Sequence, residues 1–159
     1  MKPDGTARRR LTRSGGLNEY PSWSPDGRRL AFQTHRNGEF DVFVMRSDGR
    51  GQRNLTRHPA RDQWPSWSPD GRWIAFMSMR DGSEDVFVMR PDGSNVRNVT
   101  GTSALQESHP SWTPTGELTF TRHDDRGPIR VWAVGADGSA ERRLETDAQP
   151  VFGYDWANE

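Results

Sequence analysis

The pattern of apolar and polar positions predicts short β-strands separated by tight turns, and it shows no helical periodicity. In the first clear unit, the predicted strands cover residues 21–24, 29–34 and 41–46, and a fourth strand ends at 54–56. The third of these strands contains the run VFVM, which is apolar on both faces and is typical of a strand inside a stack of sheets. The turns read Ser-Pro-Asp-Gly and Asp-Gly, in which aspartate can bond its own backbone and glycine takes the left-handed conformation.

This four-stranded unit recurs about every 44 residues. The two best copies read PSWSPDGRRLAFQTHRNGEFDVFVMRSDG and PSWSPDGRWIAFMSMRDGSEDVFVMRPDG, and a looser third copy reads PSWTPTGELTFTRHDDRGPIRVWAVGADG. The repeats cover approximately residues 13–56, 57–100 and 101–145. Units of roughly 40–45 residues with periodic tryptophan and glycine indicate a β-propeller, since the rungs of the competing all-β architecture, a β-solenoid, are shorter.

Two incomplete units flank the three repeats. Residues 4–12 align with the end of a repeat and predict an outermost strand, whereas residues 148–157 align with its start and predict an innermost strand. We therefore expect an all-β partial propeller of three complete four-stranded blades. Propellers close with about four to eight blades, so the faces of both end blades would lack a neighbour. The chain is then either the C-terminal part of a longer propeller or a part-propeller completed by oligomerisation, most simply as a homodimer.

Composition narrows the possible functions. Only 31% of residues are hydrophobic and the mean hydropathy is −0.99, but seven tryptophans and seven phenylalanines favour a folded, aromatic-rich core over disorder. The 22 basic and 22 acidic residues cancel, which argues against nucleic acid or an anionic membrane as the main partner. The absence of cysteine excludes disulfides, a thiol nucleophile and cysteine-based zinc sites. We expect no signal peptide and no membrane insertion, and the compartment stays open.

The motifs of the repeat carry a family resemblance. Ser-Pro-Asp-Gly follows the tryptophan, and the motifs LAF, DVFVMR-x-DG and NLT follow in that order in the first copy. This series resembles the TolB-like, WD-repeat-like β-propeller repeat, and the resemblance covers nearly the whole chain. The resemblance implies the propeller fold but does not identify a single function, because propellers built from this repeat serve unrelated roles. Some of them precede serine peptidase domains.

The candidate binding residues lie on the longer, more polar loops, which follow the second strand of each unit or connect the units. These loops share one face of the predicted propeller, and that face with the central channel is expected to bind a protein or peptide. No histidine pair has a recognised metal-ligand spacing, so we expect neither a metal nor another cofactor. The residues predicted to bind are His35, Arg36, His58, Arg61, Asp62, Arg80, Asp81, His109 and His123.

Two further sets of repeated residues are assigned to structure. The turn residues are Asp26, Gly27, Asp48, Gly49, Asp70, Gly71, Asp92, Gly93, Asp137 and Gly138. The tryptophans expected to pack in the core are Trp23, Trp67, Trp112 and Trp156.

Catalytic signatures are absent from the sequence, which has no G-x-S-x-G elbow, no H-E-x-x-H motif and no glycine-rich loop that opens a helix. We therefore predict a non-enzymatic interaction module that self-associates to complete a propeller ring. The alternative is a fragment or accessory propeller of a larger peptidase-type or lyase-type enzyme, with a metal or ligand site on the loop face.

Overall fold

Three antiparallel sheets of four strands form the described part of the chain. The computed structural model describes residues 6–13, 15–102, 105–123 and 128–144. The strands are β1 (Asn18–Trp23), β2 (Arg29–Thr34), β3 (Asp41–Arg46), β4 (Arg53–Asn54), β5 (Asp62–Trp67), β6 (Ile74–Ser78), β7 (Asp85–Met89), β8 (Arg97–Asn98), β9 (Gln106–Trp112), β10 (Leu118–His123), β11 (Arg130–Val134) and β12 (Arg142–Arg143).

Each sheet is one blade with its strands hydrogen-bonded in chain order: blade 1 holds β1 to β4, blade 2 holds β5 to β8, and blade 3 holds β9 to β12. The predicted all-β class and the three four-stranded blades are confirmed. The residues described contain no helix, and so none that could span a membrane.

The turn between the first two strands of a blade is held by its own side chains. In blade 1 the Asp26 carboxylate accepts hydrogen bonds from Ser24 Oγ at 2.6 Å and from the Arg28 backbone N–H at 3.0 Å. Gly27, between Asp26 and Arg28, has a φ of 64°, in the left-handed region that favours glycine. Blade 2 repeats the arrangement at Ser68 and Asp70. These aspartates therefore stabilise turns.

The turn between the third and fourth strands also meets the preceding blade. Asp48, Asp92 and Asp137 each accept a backbone N–H from two residues further on, at 2.9 to 3.0 Å. A Cβ atom on Gly93, where φ is 84°, would lie 2.8 Å from the Leu55 carbonyl oxygen. Only glycine permits this approach between one blade's turn and the outer strand before it.

The hydrophobic core lies in the seams between blades. In the first seam, Trp67 of blade 2 clusters with Ala31, Val42 and Val44 of blade 1. The second seam repeats this packing with Trp112 of blade 3 against the equivalent strands of blade 2. Both tryptophans are buried, at 6% and 7% exposure. Burial of this kind is the main stabilising contribution to each seam.

An arginine of β4 and an arginine of β8 each cross the seam to the next blade. The Arg53 guanidinium donates to the Asp92 carbonyl oxygen at 3.2 Å, and the Arg97 guanidinium donates to the Ala136 carbonyl oxygen at 2.5 Å. Each seam thus has an apolar interior and a hydrogen bond at its outer edge.

Residues 6–13 occupy the place of an outer strand against blade 1. Leu11 lies beside Gly49, and Arg9 donates to the Ser47 carbonyl oxygen at 3.4 Å. At the next seam, Leu55 lies beside Gly93 and Arg53 donates to the Pro91 carbonyl oxygen in the same way. These residues form no strand, however, so the outer strand predicted for residues 4–12 is wrong over its described part. A β-ladder pairs strands within one sheet, and none of the three described sheets includes this segment.

Trp23 corrects a second expectation. It is 53% exposed, whereas the equivalent Trp67 and Trp112 are buried, because in the described structure no blade precedes blade 1. Trp23 is therefore not a core residue in this chain. The predicted inner strand at residues 148–157, which contains Trp156, lies outside the described residues.

Candidate functional site

A bulge recurs in the innermost strand of every blade, directly before the Pro-Ser-Trp motif. In β1 the pairing register with β2 shifts between Glu19 and Ser22, and equivalent shifts occur in β5 and β9. The bulged residues Tyr20, Trp64 and His109 have φ of 48°, 52° and 53°. This left-handed conformation costs a non-glycine residue about 1–3 kcal/mol. Bulges re-aim side chains and are frequent beside functional sites.

The three bulged side chains form a row of rings that crosses all three blades, which we call the inner aromatic row (Tyr20, Trp64 and His109). The Trp64 and His109 rings are stacked, with centroids 4.1 Å apart and planes at 20°. Tyr20 meets Trp64 edge to face at 6.3 Å. Because first strands surround the central channel of a propeller, the row lies on the channel side. Tyr20 is 52% exposed and the other two rings are half-buried, so the row is accessible.

A buried glutamine of β2 fixes the row to the blades. Gln33 Oε1 accepts the Trp64 backbone N–H at 2.9 Å, and Gln33 Nε2 donates to Glu19 at 3.2 Å. At the other end, His109 Nδ1 lies 3.1 Å from Ser108 Oγ. The row is therefore a rigid, mainly apolar platform with a few polar groups at its margin.

Burial lowers the pKa of His109, which favours the neutral form of this ring at pH 7. In the unfolded chain His109 takes up a proton at the ordinary histidine pKa of about 6.5, whereas in the folded chain it does so only at a lower pH. We therefore expect the contribution of His109 to the free energy of unfolding to fall as the pH drops from about 7.5 to about 5.5. Urea unfolding of His109→Phe should show a smaller fall than the wild type. His58→Phe, outside the row, is the control, and equal falls in wild type and His109→Phe would refute the prediction.

Arg36 and Arg80, two of the predicted binding residues, fold back over their own blades. Their guanidinium carbons lie 4.7 and 4.9 Å from the ring centres of the phenylalanines on the third strands. Arg122 repeats this arrangement in blade 3, 4.5 Å from the Trp132 ring. Such cation–π contacts stabilise the blade and leave little of the guanidinium for a partner.

Two of these arginines also neutralise buried carboxylates of the first strands. Arg80 Nη2 lies 3.0 and 3.2 Å from the two oxygens of Asp62, and Arg122 lies 2.8 Å from Glu107 and 2.7 Å from Glu141. Burial raises the pKa of both Asp62 and Glu107 above the usual range, while the arginines and the hydroxyl hydrogen bonds act in the opposite direction. Arg80 and Asp62 therefore form an internal ion pair.

The other predicted binding residues lie on the loops or at the end of β10, and they do not form one site. His35 and His58 each accept a backbone N–H, at 3.3 and 3.1 Å, and Asp81 accepts the Asn98 side-chain amide at 3.0 Å. Arg61 makes an exposed ion pair with a glutamate, and His123 ends β10. Within the described ranges, no group of three or more histidine, aspartate or glutamate side chains could hold a metal ion.

Of the nine predicted binding residues, only His109 belongs to the inner aromatic row, and sequence reasoning missed Tyr20 and Trp64. A signal was present, because each copy has an aromatic residue directly before its proline, as Tyr20-Pro21, Trp64-Pro65 and His109-Pro110. The sequence does not show, however, that these positions are bulged or that the three rings meet.

The family model for the TolB β-propeller domain matches residues 4–152. The chain belongs to the TolB β-propeller family. The resemblance inferred from the repeat motifs is thereby confirmed.

The relatives of this TolB-family chain are longer proteins. A TolB homologue of Chlorobium luteolum is 44% identical over 45 residues, which are 28% of this chain and 10% of that protein. A TolB structure from Agrobacterium tumefaciens is 30% identical with a TM-score of 0.77, covering 84% of this chain and 50% of that chain. A puromycin-hydrolysing peptidase of Mycobacterium tuberculosis is 16% identical with a TM-score of 0.71, covering 92% and 24%. At 16% identity the likeness shows the fold alone.

Proposed function

We propose that this TolB-family chain is a non-enzymatic binding module that holds a protein or peptide segment on the inner aromatic row and associates with itself to complete a propeller ring. The row is the observation that carries the proposal, because three successive blades bring their bulged rings into contact and one ring stays half exposed. Tyrosine and tryptophan supply a large contact area at low entropic cost and dominate many binding surfaces.

The chemistry of the row favours an extended segment with apolar, aromatic or proline side chains. Burial lowers the pKa of His109 and so favours its neutral form at pH 7, and Glu19 at the margin of the row accepts a hydrogen bond from Gln33. Aromatic-lined grooves bind such segments by stacking, while backbone groups of the segment bond to polar groups at the rim.

Self-association is supported by the uneven burial of equivalent tryptophans. Trp23 is 53% exposed, whereas Trp67 is 6% exposed in the seam that follows. A large apolar side chain left open at the end of a blade favours a contact that covers it.

A selection from random dodecapeptides displayed on phage tests the binding function. Peptides selected on the wild-type chain should lose about thirtyfold in affinity on Trp64→Ala, because truncation of a central tryptophan costs about 2 kcal/mol of binding. Trp73→Ala is the matched control, since Trp73 is also partly buried but lies under Arg90 and Arg97, away from the row. Failure to select any peptide, or equal losses on both variants, would exclude the row as the binding site.

The competing function, an accessory propeller with a metal site, is tested by metal analysis of the purified chain. We expect less than stoichiometric transition metal after dialysis against a weak chelator. One tightly bound equivalent per chain would favour the competing function.

A further inference from the structure

Three exposed apolar side chains line the inner side of blade 1. Leu17, Tyr20 and Trp23, which we call the blade 1 edge, are each 52–53% exposed. In the next two blades the position of Trp23 is held by Trp67 and Trp112, which are buried against the second and third strands of the preceding blade and are hydrogen-bonded to its inner strand. The blade 1 edge is therefore the surface on which another inner strand would pack.

The outer half of the same face is already covered within the chain. Leu11 packs against a cluster of Leu30, Phe32, Phe43 and Met45, each no more than 6% exposed. The part left uncovered is consequently the side of β1, which carries the exposed Tyr20 and Trp23. A single extended segment fits it, whereas a complete blade would compete with residues 6–13 for the outer half.

The two seams inside the chain show what such a segment must offer. Ser22 Oγ accepts the Trp67 backbone N–H at 3.1 Å, and the Ser66 carbonyl oxygen accepts Trp112 Nε1–H at 3.1 Å. In both seams the acceptor belongs to the residue directly before the tryptophan position of the preceding inner strand. A segment that covers Trp23 therefore needs an acceptor at that position.

Residues 145–159, ETDAQPVFGYDWANE, meet this requirement in sequence. Trp156 is in register with Trp112, and the residue before it is Asp155, whose carboxylate accepts hydrogen bonds. The segment has four acidic residues and no lysine or arginine, whereas residues 1–56 have eleven basic and six acidic residues, a net charge of +5. These opposite net charges favour the encounter of the segment with the part of a second chain that contains blade 1.

We propose that residues 145–159 of a second copy pack beside the blade 1 edge as a further inner strand, with Asp155 of that copy accepting the backbone N–H of Trp23. This inference rests on the self-association proposed above and specifies the contact that produces it. Because each copy has both the edge and the segment, two reciprocal contacts close a two-fold pair without open-ended growth.

Photo-cross-linking of the full chain tests the contact. Tyr154 is replaced by p-benzoylphenylalanine in the full-length chain, and ¹⁵N-labelled and unlabelled chains are mixed before irradiation. Cross-links between heavy and light chains that map to residues 17–23 are expected. A dimer whose cross-links map elsewhere, or only within one chain, overturns this contact while self-association stands. A mass of one 18.1 kDa chain at micromolar concentration overturns both, and leaves the peptide selection as a separate test of the inner aromatic row.

The matched substitutions give a second readout. Trp23→Ala should raise the dissociation constant of the dimer by at least about tenfold, as expected for an interface tryptophan. Because Trp23 is half exposed in one chain, this variant should fold. Met79→Ala, which removes another exposed apolar side chain outside the blade 1 edge, should leave the constant unchanged. Equal constants for Trp23→Ala and the wild type would overturn the proposal.

Discussion

Replacement of Trp67 by alanine is expected to lower the free energy of unfolding by about 3–5 kcal/mol, because the side chain fills the seam between blades 1 and 2. Both the burial of a large ring and the packing of Ala31, Val42 and Val44 against it are lost. A reduction of this size is a large fraction of the stability of a small domain.

The repeat supplies a matched control for this experiment. Trp23→Ala removes the same side chain from the equivalent position, but that side chain is 53% exposed, so we expect a loss below about 1 kcal/mol. The measurement is urea unfolding followed by circular dichroism, at protein concentrations low enough to keep the chain monomeric. Similar losses for both variants would mean that Trp23 is buried in solution and that the seam is not the origin of the effect.

Arg122→Met is expected to cost about 3–5 kcal/mol of unfolding free energy, because it leaves the buried Glu107 carboxylate without its cation. Methionine keeps most of the apolar stem over Trp132, so the loss reports the charge. Arg142→Met is the control, since the Arg142–Glu117 pair is exposed on both sides and exposed pairs contribute little.

The pH dependence identifies the cause of that loss. Burial raises the pKa of Glu107, and a group whose pKa is raised by folding destabilises the fold when the pH is above that pKa. The difference in the free energy of unfolding between Arg122→Met and the wild type should therefore become smaller as the pH is lowered from about 7.5 to about 5, because the Glu107 carboxyl group takes up a proton. A difference that is constant over this range would indicate lost packing instead.

The sequence predicted the middle of each blade accurately because the signals there are local. The predicted strands over 29–34 and 41–46 agree with β2 and β3, since an apolar run between Asp-Gly turns can form little else. The first strand was predicted from residue 21, but β1 begins at Asn18, because Pro21 and the bulge at Tyr20 interrupt the apparent pattern.

The candidate site was less predictable because its residues depend on neighbouring blades. Arg36 and Arg80 stand on polar loops, which suggested binding, yet both guanidinium groups return to the aromatic rings of their own sheets. Trp23 and Trp67 share the same motif and differ only in whether a blade precedes them. No property of a single repeat distinguishes these two environments.

The arginine that crosses each seam has a consequence for how such a chain can change in length. Arg53 and Arg97 bond to backbone carbonyl groups of the next turn, and any residue supplies such a carbonyl. Because glycine occupies the point of closest approach, the contact between neighbouring blades is nearly independent of the other side chains in that turn. A duplicated blade could therefore be inserted between two existing blades without new complementary substitutions. This favours the gain or loss of whole blades during evolution.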